Sequence, residues 1–184
     1  MRIEKLKQTF EIETVLVHFP LHPETPAEGR SMAELYAGRN VDLEAVYARM
    51  KGLMDAEGLP YGRRTHTYNS RLAQELGKWA DTQPGGAALH DALYKAYFVE
   101  ARNIGDLELL VQLAASVGLP AEEARAVLTE RRFKDAIDAD WAKSAQYGVT
   151  GVPTFVAGGY GVVGAQPYEV LEQLAARAGA PRRA

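Results

Sequence analysis

The chain contains no cysteine in 184 residues. It can form no disulfide, and it can carry out no dithiol chemistry with its own side chains. No apolar run approaches the roughly 20 residues that span a bilayer, so no membrane partner is expected. Charge of neither sign dominates: 21 Lys and Arg face 24 Asp and Glu, a net −3. No basic stripe marks a nucleic-acid face, and the short Arg182-Arg183 tail reads as solvated. Met1 to Lys7 is too charged for the core of a secretory signal, and the chain reads as soluble and cytoplasmic. A glycine-rich phosphate loop, internal repeats and low-complexity segments are also missing.

What is present is ordinary globular material, 47% hydrophobic and 24% charged, long enough to bury a sizeable core as one domain spanning 1–184. Ile3, Leu6 and Phe10 share one helical face from the first residues onward. Thr14-Val15-Leu16-Val17-His18-Phe19 is a β-branched run that predicts a buried strand near 12–19. Pro20, Pro23 and Pro26 then enforce an irregular loop. The middle is helical. Leu43, Val46, Tyr47, Met50, Leu53 and Met54 trace a helix face ending near Gly58, and Leu72, Leu76 and Trp79 a second. Leu89 to Val99 continues helical, Asp106 can N-cap 107–117, and Gly118 with Pro120 punctuates the next pair. A helix over about 131–147 leads to the last elements, and Pro167 opens a terminal helix to about 178.

The segment Gly151-Val152-Pro153-Thr154-Phe155-Val156-Ala157-Gly158-Gly159-Tyr160 predicts a strand opened by proline, a two-residue glycine turn and a return strand, a hairpin over 153–164. Spacing alone leaves the Val152–Pro153 bond cis or trans. Strands at both ends with helices between them argue for a small sheet carrying a helical insertion at about 31–146, between the strand near 12–19 and the hairpin.

Several stretches resemble the DsbA-like thioredoxin family, in particular its FrnE-like branch of cytoplasmic dithiol oxidoreductases, itself related to 2-hydroxychromene-2-carboxylate isomerases. They are Phe19-Pro20-Leu21-His22-Pro23-Glu24, Ala96-Tyr97-Phe98-Val99-Glu100 with Asn103-Ile104-Gly105-Asp106, Gly148-Val149-Thr150-Gly151-Val152-Pro153, and Gly161-Val162-Val163-Gly164-Ala165-Gln166. The resemblance implies an α/β (α+β) thioredoxin-like fold whose first strand is missing here. It implies a cis bond before Pro153, and it makes the backbone of Val152, kept unobstructed by Pro153, the wall that hydrogen-bonds substrate. It also implies thiol–disulfide exchange with protein or small-thiol substrates, by a Cys-x-x-Cys pair at the start of the helix holding Arg2 to Leu6. That pair is absent, so these residues are expected to be redox-inactive, with no resident cofactor.

Losing a central strand would leave several backbone groups unpaired at about 1–3 kcal/mol each, against a typical stability of about 5–15 kcal/mol. A start assigned too late is therefore favoured over genuine loss. Two other functions stay open: a glutathione-dependent isomerase of the hydroxychromene type, and a non-catalytic module that binds extended peptides by strand addition at Val152-Pro153.

The remaining polar candidates have plainer readings. His18 and His22 have helical ligand spacing, but Pro20 between them argues against a helix, and no metal site is expected. Asn69-Ser70 is either a helix cap or a nucleophile or glutathione contact, the cap being favoured. Trp79, Trp141, Tyr94 and Tyr97 read as core or groove lining. Oligomeric state is not encoded in any of these features.

Overall fold

A computed structural model describes residues 2–183. They form two compact units, one made of the chain up to Leu21 together with Asp140 onward, the other of His22–Ala139.

In the first unit, helix α1 (Arg2–Thr9) packs on α9 (Tyr168–Arg177), and α9 packs on the hairpin of β3 (Thr154–Ala157) and β4 (Tyr160–Val163). The expected face of α1 is the buried one: Leu6 and Phe10 meet Leu171 and Ala175, with Ile12, Phe155 and Val162 packed against them. Polar ties join the same elements. Thr9 Oγ1 lies 2.8 Å from the Tyr168 hydroxyl, and the Glu11 N–H donates to the Pro181 carbonyl at 2.8 Å. Gly158 and Gly159 both have positive φ, 55° and 81°, which suits a two-residue turn matching strand twist. At Gly158 a Cβ would come within 2.9 Å of Ala178, so glycine there also permits the turn to touch the end of α9.

The strand expected near 12–19 does not form; this segment carries no regular structure. Val15, Leu16 and Val17 are 72%, 55% and 38% exposed, and Ile12 to Val17 make no backbone hydrogen bonds. The cause is the lack of a neighbour. β-branched residues favour strands through a paired, half-buried surface, and among the described residues no strand lies alongside this one. The first unit's sheet is two-stranded, β3 with β4.

The second unit is mainly helical. It holds α2 (Met32–Leu35), α3 (Leu43–Ala56), α4 (Arg71–Ala80), α5 (Ala88–Tyr94) with a π-helical turn over Lys95–Val99, α6 (Leu107–Ser116) and α7 (Ala121–Thr129). Two short strands that the sequence pattern did not suggest, β1 (Arg30–Ser31) and β2 (His66–Thr67), pair antiparallel. α8 (Lys134–Gln146) begins three residues later than expected, because Arg131 adopts φ 55° in the preceding turn.

The core joins α4, α5, α6 and α7 through Leu76, Trp79, Leu89, Leu110, Val127 and Leu128, each at most 2% exposed. Caps behave as expected at two points: Asp106 Oδ1 accepts from the Leu109 N–H at 2.9 Å, and Gly118 takes φ 83° after α6. Tyr94, at 62% exposed, is not core, which leaves only the groove-lining reading open to it, and α3 forms where its pattern places it but buries none of its residues. An amphipathic pattern shows which face could be buried and does not supply the surface that buries it.

Candidate functional site

The hairpin's approach is shaped by Gly148, at φ 65°, which ends α8; the Val149 N–H there donates to the Ser144 carbonyl at 3.0 Å. Thr154 Oγ1 donates to the Gly151 carbonyl at 2.7 Å and folds the three residues before β3 into a tight bend. The Val152–Pro153 peptide bond is cis. The Pro153 carbonyl accepts from the Gly164 N–H at 2.7 Å, so the hairpin is closed at both ends.

The register pairs Thr154 with Val163, Phe155 with Val162, Val156 with Gly161 and Ala157 with Tyr160. In an antiparallel pair, successive residues alternate between facing the partner strand and facing away from it. With Pro153 bonded to Gly164, Phe155 and Ala157 turn their backbone groups toward β4. Thr154 and Val156 turn theirs outward. Among the described residues that outer edge of β3 has no strand beside it. Val152 is 53% exposed next to it, its backbone free of any hydrogen bond. The other edge, on β4, is partly closed by Gln166, whose Nε2 donates to the Val163 carbonyl at 2.8 Å.

The first turn of α1 lies at the same end of the hairpin. Arg2 Nη1 donates to the Gln166 carbonyl at 2.9 Å and reaches the Ala165 carbonyl at 3.4 Å. Gly164, which holds Pro153, is only two residues from Gln166. The start of α1 and the Val152-Pro153 segment are thus tied to one short stretch of chain, 164–166. Thr154 and Val156 were not singled out in the sequence, although a two-residue turn at Gly158-Gly159 fixes which residues of β3 face outward.

The other candidates have structural tasks. Asn69, not Ser70, caps α4: its Oδ1 accepts from the Arg71 N–H at 2.9 Å, while Ser70 makes no side-chain cap bond. The Asn69 amide donates to the carbonyls of Pro23 at 3.1 Å and Thr25 at 2.9 Å, pinning the proline-rich loop. His90 Nε2 lies 2.7 Å from Asp81 Oδ1, His66 Nδ1 2.9 Å from Thr65 Oγ1, and the His18 N–H donates to Asp140 at 3.2 Å. Among the described residues no three His, Asp or Glu side chains gather as a metal site. No helix among them is long and apolar enough to cross a membrane.

The model of the DSBA-like thioredoxin domain matches residues 1–176. The chain belongs to that family. Its structure superimposes on the crystal structure of the probable DsbA oxidoreductase SCO1869 from Streptomyces coelicolor with a TM-score of 0.87 and 35% identity, covering 97% of this chain and 82% of that one. A 2-hydroxychromene-2-carboxylate isomerase shares the fold at 18% identity and a TM-score of 0.63, covering 82% of this chain and 70% of the isomerase. The uncharacterized protein YwbO of Bacillus subtilis (strain 168) is 32% identical over 110 residues, 59% of this chain. The match spans about half of that relative's length, 54%.

Proposed function

We propose that this chain is the substrate-binding part of a DsbA-like thiol–disulfide oxidoreductase of the FrnE-like kind, acting on protein or small-thiol disulfides. Family membership supports the reaction class. The observation that carries the reading is the Val152 backbone beside the cis Pro153. Val152 is exposed and its backbone makes no hydrogen bond, at the hairpin end tied to the start of α1. An extended peptide laid there gains main-chain hydrogen bonds without needing a particular side chain. That suits an enzyme whose substrates share a disulfide and little else.

These 184 residues hold no thiol. Exchange needs a thiolate to attack a disulfide sulfur, so the chain by itself binds and orients, and the sulfur chemistry falls to thiols outside these residues. A second reading, a peptide-binding module without redox chemistry, rests on the open outer edge of β3 together with the missing cysteine.

Calorimetric titration with an extended peptide containing an intramolecular disulfide tests the site. The chain is expected to bind it, Val152→Pro to weaken binding at least tenfold by deleting the N–H beside Pro153, and Val163→Pro on β4 to leave it within twofold. Equal effects of both substitutions would overturn the assignment. An identical affinity for the same peptide without its disulfide would favour the non-redox module.

A further inference from the structure

Arg64 differs from the other half-buried arginines of the structure in one respect. Among the described residues, Arg2, Arg30, Arg71 and Arg125 are likewise half-buried, and each has an oxygen acceptor: the Gln166 carbonyl, Glu24, Glu75 and Glu108. Arg64 has none. Its Nε is enclosed and without a hydrogen-bond partner, and no ion pair or further hydrogen bond involves the residue. Two ring faces hold the guanidinium instead: Cζ lies 4.4 Å from the centre of the Tyr97 ring and 5.0 Å from that of Phe98. Ring stacking offsets part of the cost of removing a cation from water. It leaves the planar fork of N–H donors, the part of arginine that recognises oxyanions, unanswered.

The position is also rigid. The Gly62 N–H donates to the Phe98 carbonyl at 2.8 Å, and a Cβ at Gly62 would lie 2.0 Å from the Val99 carbonyl oxygen. The loop carrying Arg64 is therefore pressed against the π-helical turn Lys95–Val99, a departure from α-helix that recurs at functional sites. Tyr97 is fixed from behind, its hydroxyl 3.2 Å from Thr67 Oγ1. Beside the cation, the exposed Tyr94 stacks on Phe98 with ring centres 5.7 Å apart, a flat apolar shelf next to the donors. The neighbouring Arg63 is already paired with Glu44, which leaves Arg64 as the cation of this patch without an anion.

We infer that Arg64 is an oxyanion-binding residue of the helical unit, accepting a carboxylate or phosphate group of a small ligand whose body rests on the Phe98–Tyr94 shelf. The Nη edge donates to the two oxygens, and the stacked rings keep the fork from turning away.

The test is side-chain NMR on the full chain in chloride buffer, following arginine Nε–H signals during titration with inorganic phosphate and, separately, N-acetylglycine. A saturable shift of the Arg64 signal at millimolar concentration is expected for one or both anions, with the exposed Arg39 and Arg49 as internal controls. The arm that saturates at lower concentration identifies phosphate or carboxylate as the natural group. Arg64→Met should weaken anion binding at least tenfold, read from the Tyr97 and Phe98 ring signals, and Arg64→Lys less than that. A shift of Arg64 that stays linear and no larger than that of the controls would overturn the inference. Should Arg64→Met fail to fold, the wild-type titration alone decides between these outcomes.

Discussion

Arg131 Nε and Nη2 donate to the two carboxylate oxygens of Glu75, each at 2.7 Å, across 56 positions of sequence. Glu75 is fully buried and also accepts from Arg71 Nε at 2.7 Å. Arg71 in turn reaches Asp138 and the Lys134 carbonyl, each at 2.7 Å. One carboxylate thus fastens α4 to the turn between α7 and α8.

Removing that carboxylate leaves the Arg131 fork without Glu75 and takes one of the acceptors of Arg71, which keeps Asp138 and the Lys134 carbonyl. Glu75→Ala is expected to cost about 3–5 kcal/mol, the range for breaking a buried pair from one side, measured by urea unfolding. Arg131→Gly separates two effects. It relieves the positive φ at 55°, worth about 1 kcal/mol, but deletes two charged hydrogen bonds worth about 1.5–3 kcal/mol each. A net loss is expected; a gain would show that Arg71 alone satisfies Glu75.

The same cluster sets an acid dependence. Burial pushes the Glu75 carboxyl up, and the hydrogen bonds from Arg131 and then Arg71 outweigh it, leaving the group below its ordinary 4.5. A carboxyl depressed on folding contributes stability that is complete above its unfolded value and is lost as pH falls through its folded one. Thermal midpoints should hold above about pH 4.5 and fall below it, with a shallower fall in Glu75→Gln. Equal slopes for the two proteins would place the acid sensitivity elsewhere.

Asn69 performs two tasks that substitution can divide. Asn69→Asp keeps the acceptor for the Arg71 N–H but loses the donors to Pro23 and Thr25, whereas Asn69→Ala loses both. Limited proteolysis should show faster cleavage in the 20–29 loop for both variants. Unfolding should show a further loss of about 1 kcal/mol for the alanine, the worth of a typical cap. Equal stability of the two would remove the capping role.

Gly62→Ala is expected to be strongly destabilising, because the added methyl meets backbone, which cannot swing aside as a side chain can. About 1–3 kcal/mol is the usual cost of such overpacking, and the arginine Nε–H signal of Arg64 should broaden or shift with it. An unchanged melting temperature would mean that the loop lifts freely from Val99.

Local chemistry made much of this legible in advance. The glycine pair at 158–159, the proline at 153, the aspartate at 106 and the glycine at 118 each act through their own neighbours. Their elements appear where the residues place them. What failed depended on surfaces that a residue's neighbours in sequence do not reveal. Val15-Leu16-Val17 has the composition of a strand but nothing to pair with. Leu43 to Met54 forms the expected helix, but its apolar face stays half-exposed, with Tyr47 against the Tyr61 ring. Arg131 looks like the first residue of a helix, yet its bonds to Glu75 accompany a left-handed turn. The edge residues Thr154 and Val156 were accessible in principle, since register follows from the turn. Arg64 and its rings were not, because only folding brings the loop at 61–64 against the turn at 95–99.

The account turns on the Val152 backbone beside the cis Pro153 as the surface that receives substrate, and amide-resolved NMR of the full chain during titration with an extended disulfide-containing peptide tests it most directly. Saturable shifts centred on Val152 and Thr154, with slowed hydrogen exchange at the Val152 amide, are the predicted result. Shifts confined to β4, or none at these two residues at saturating peptide, would contradict it.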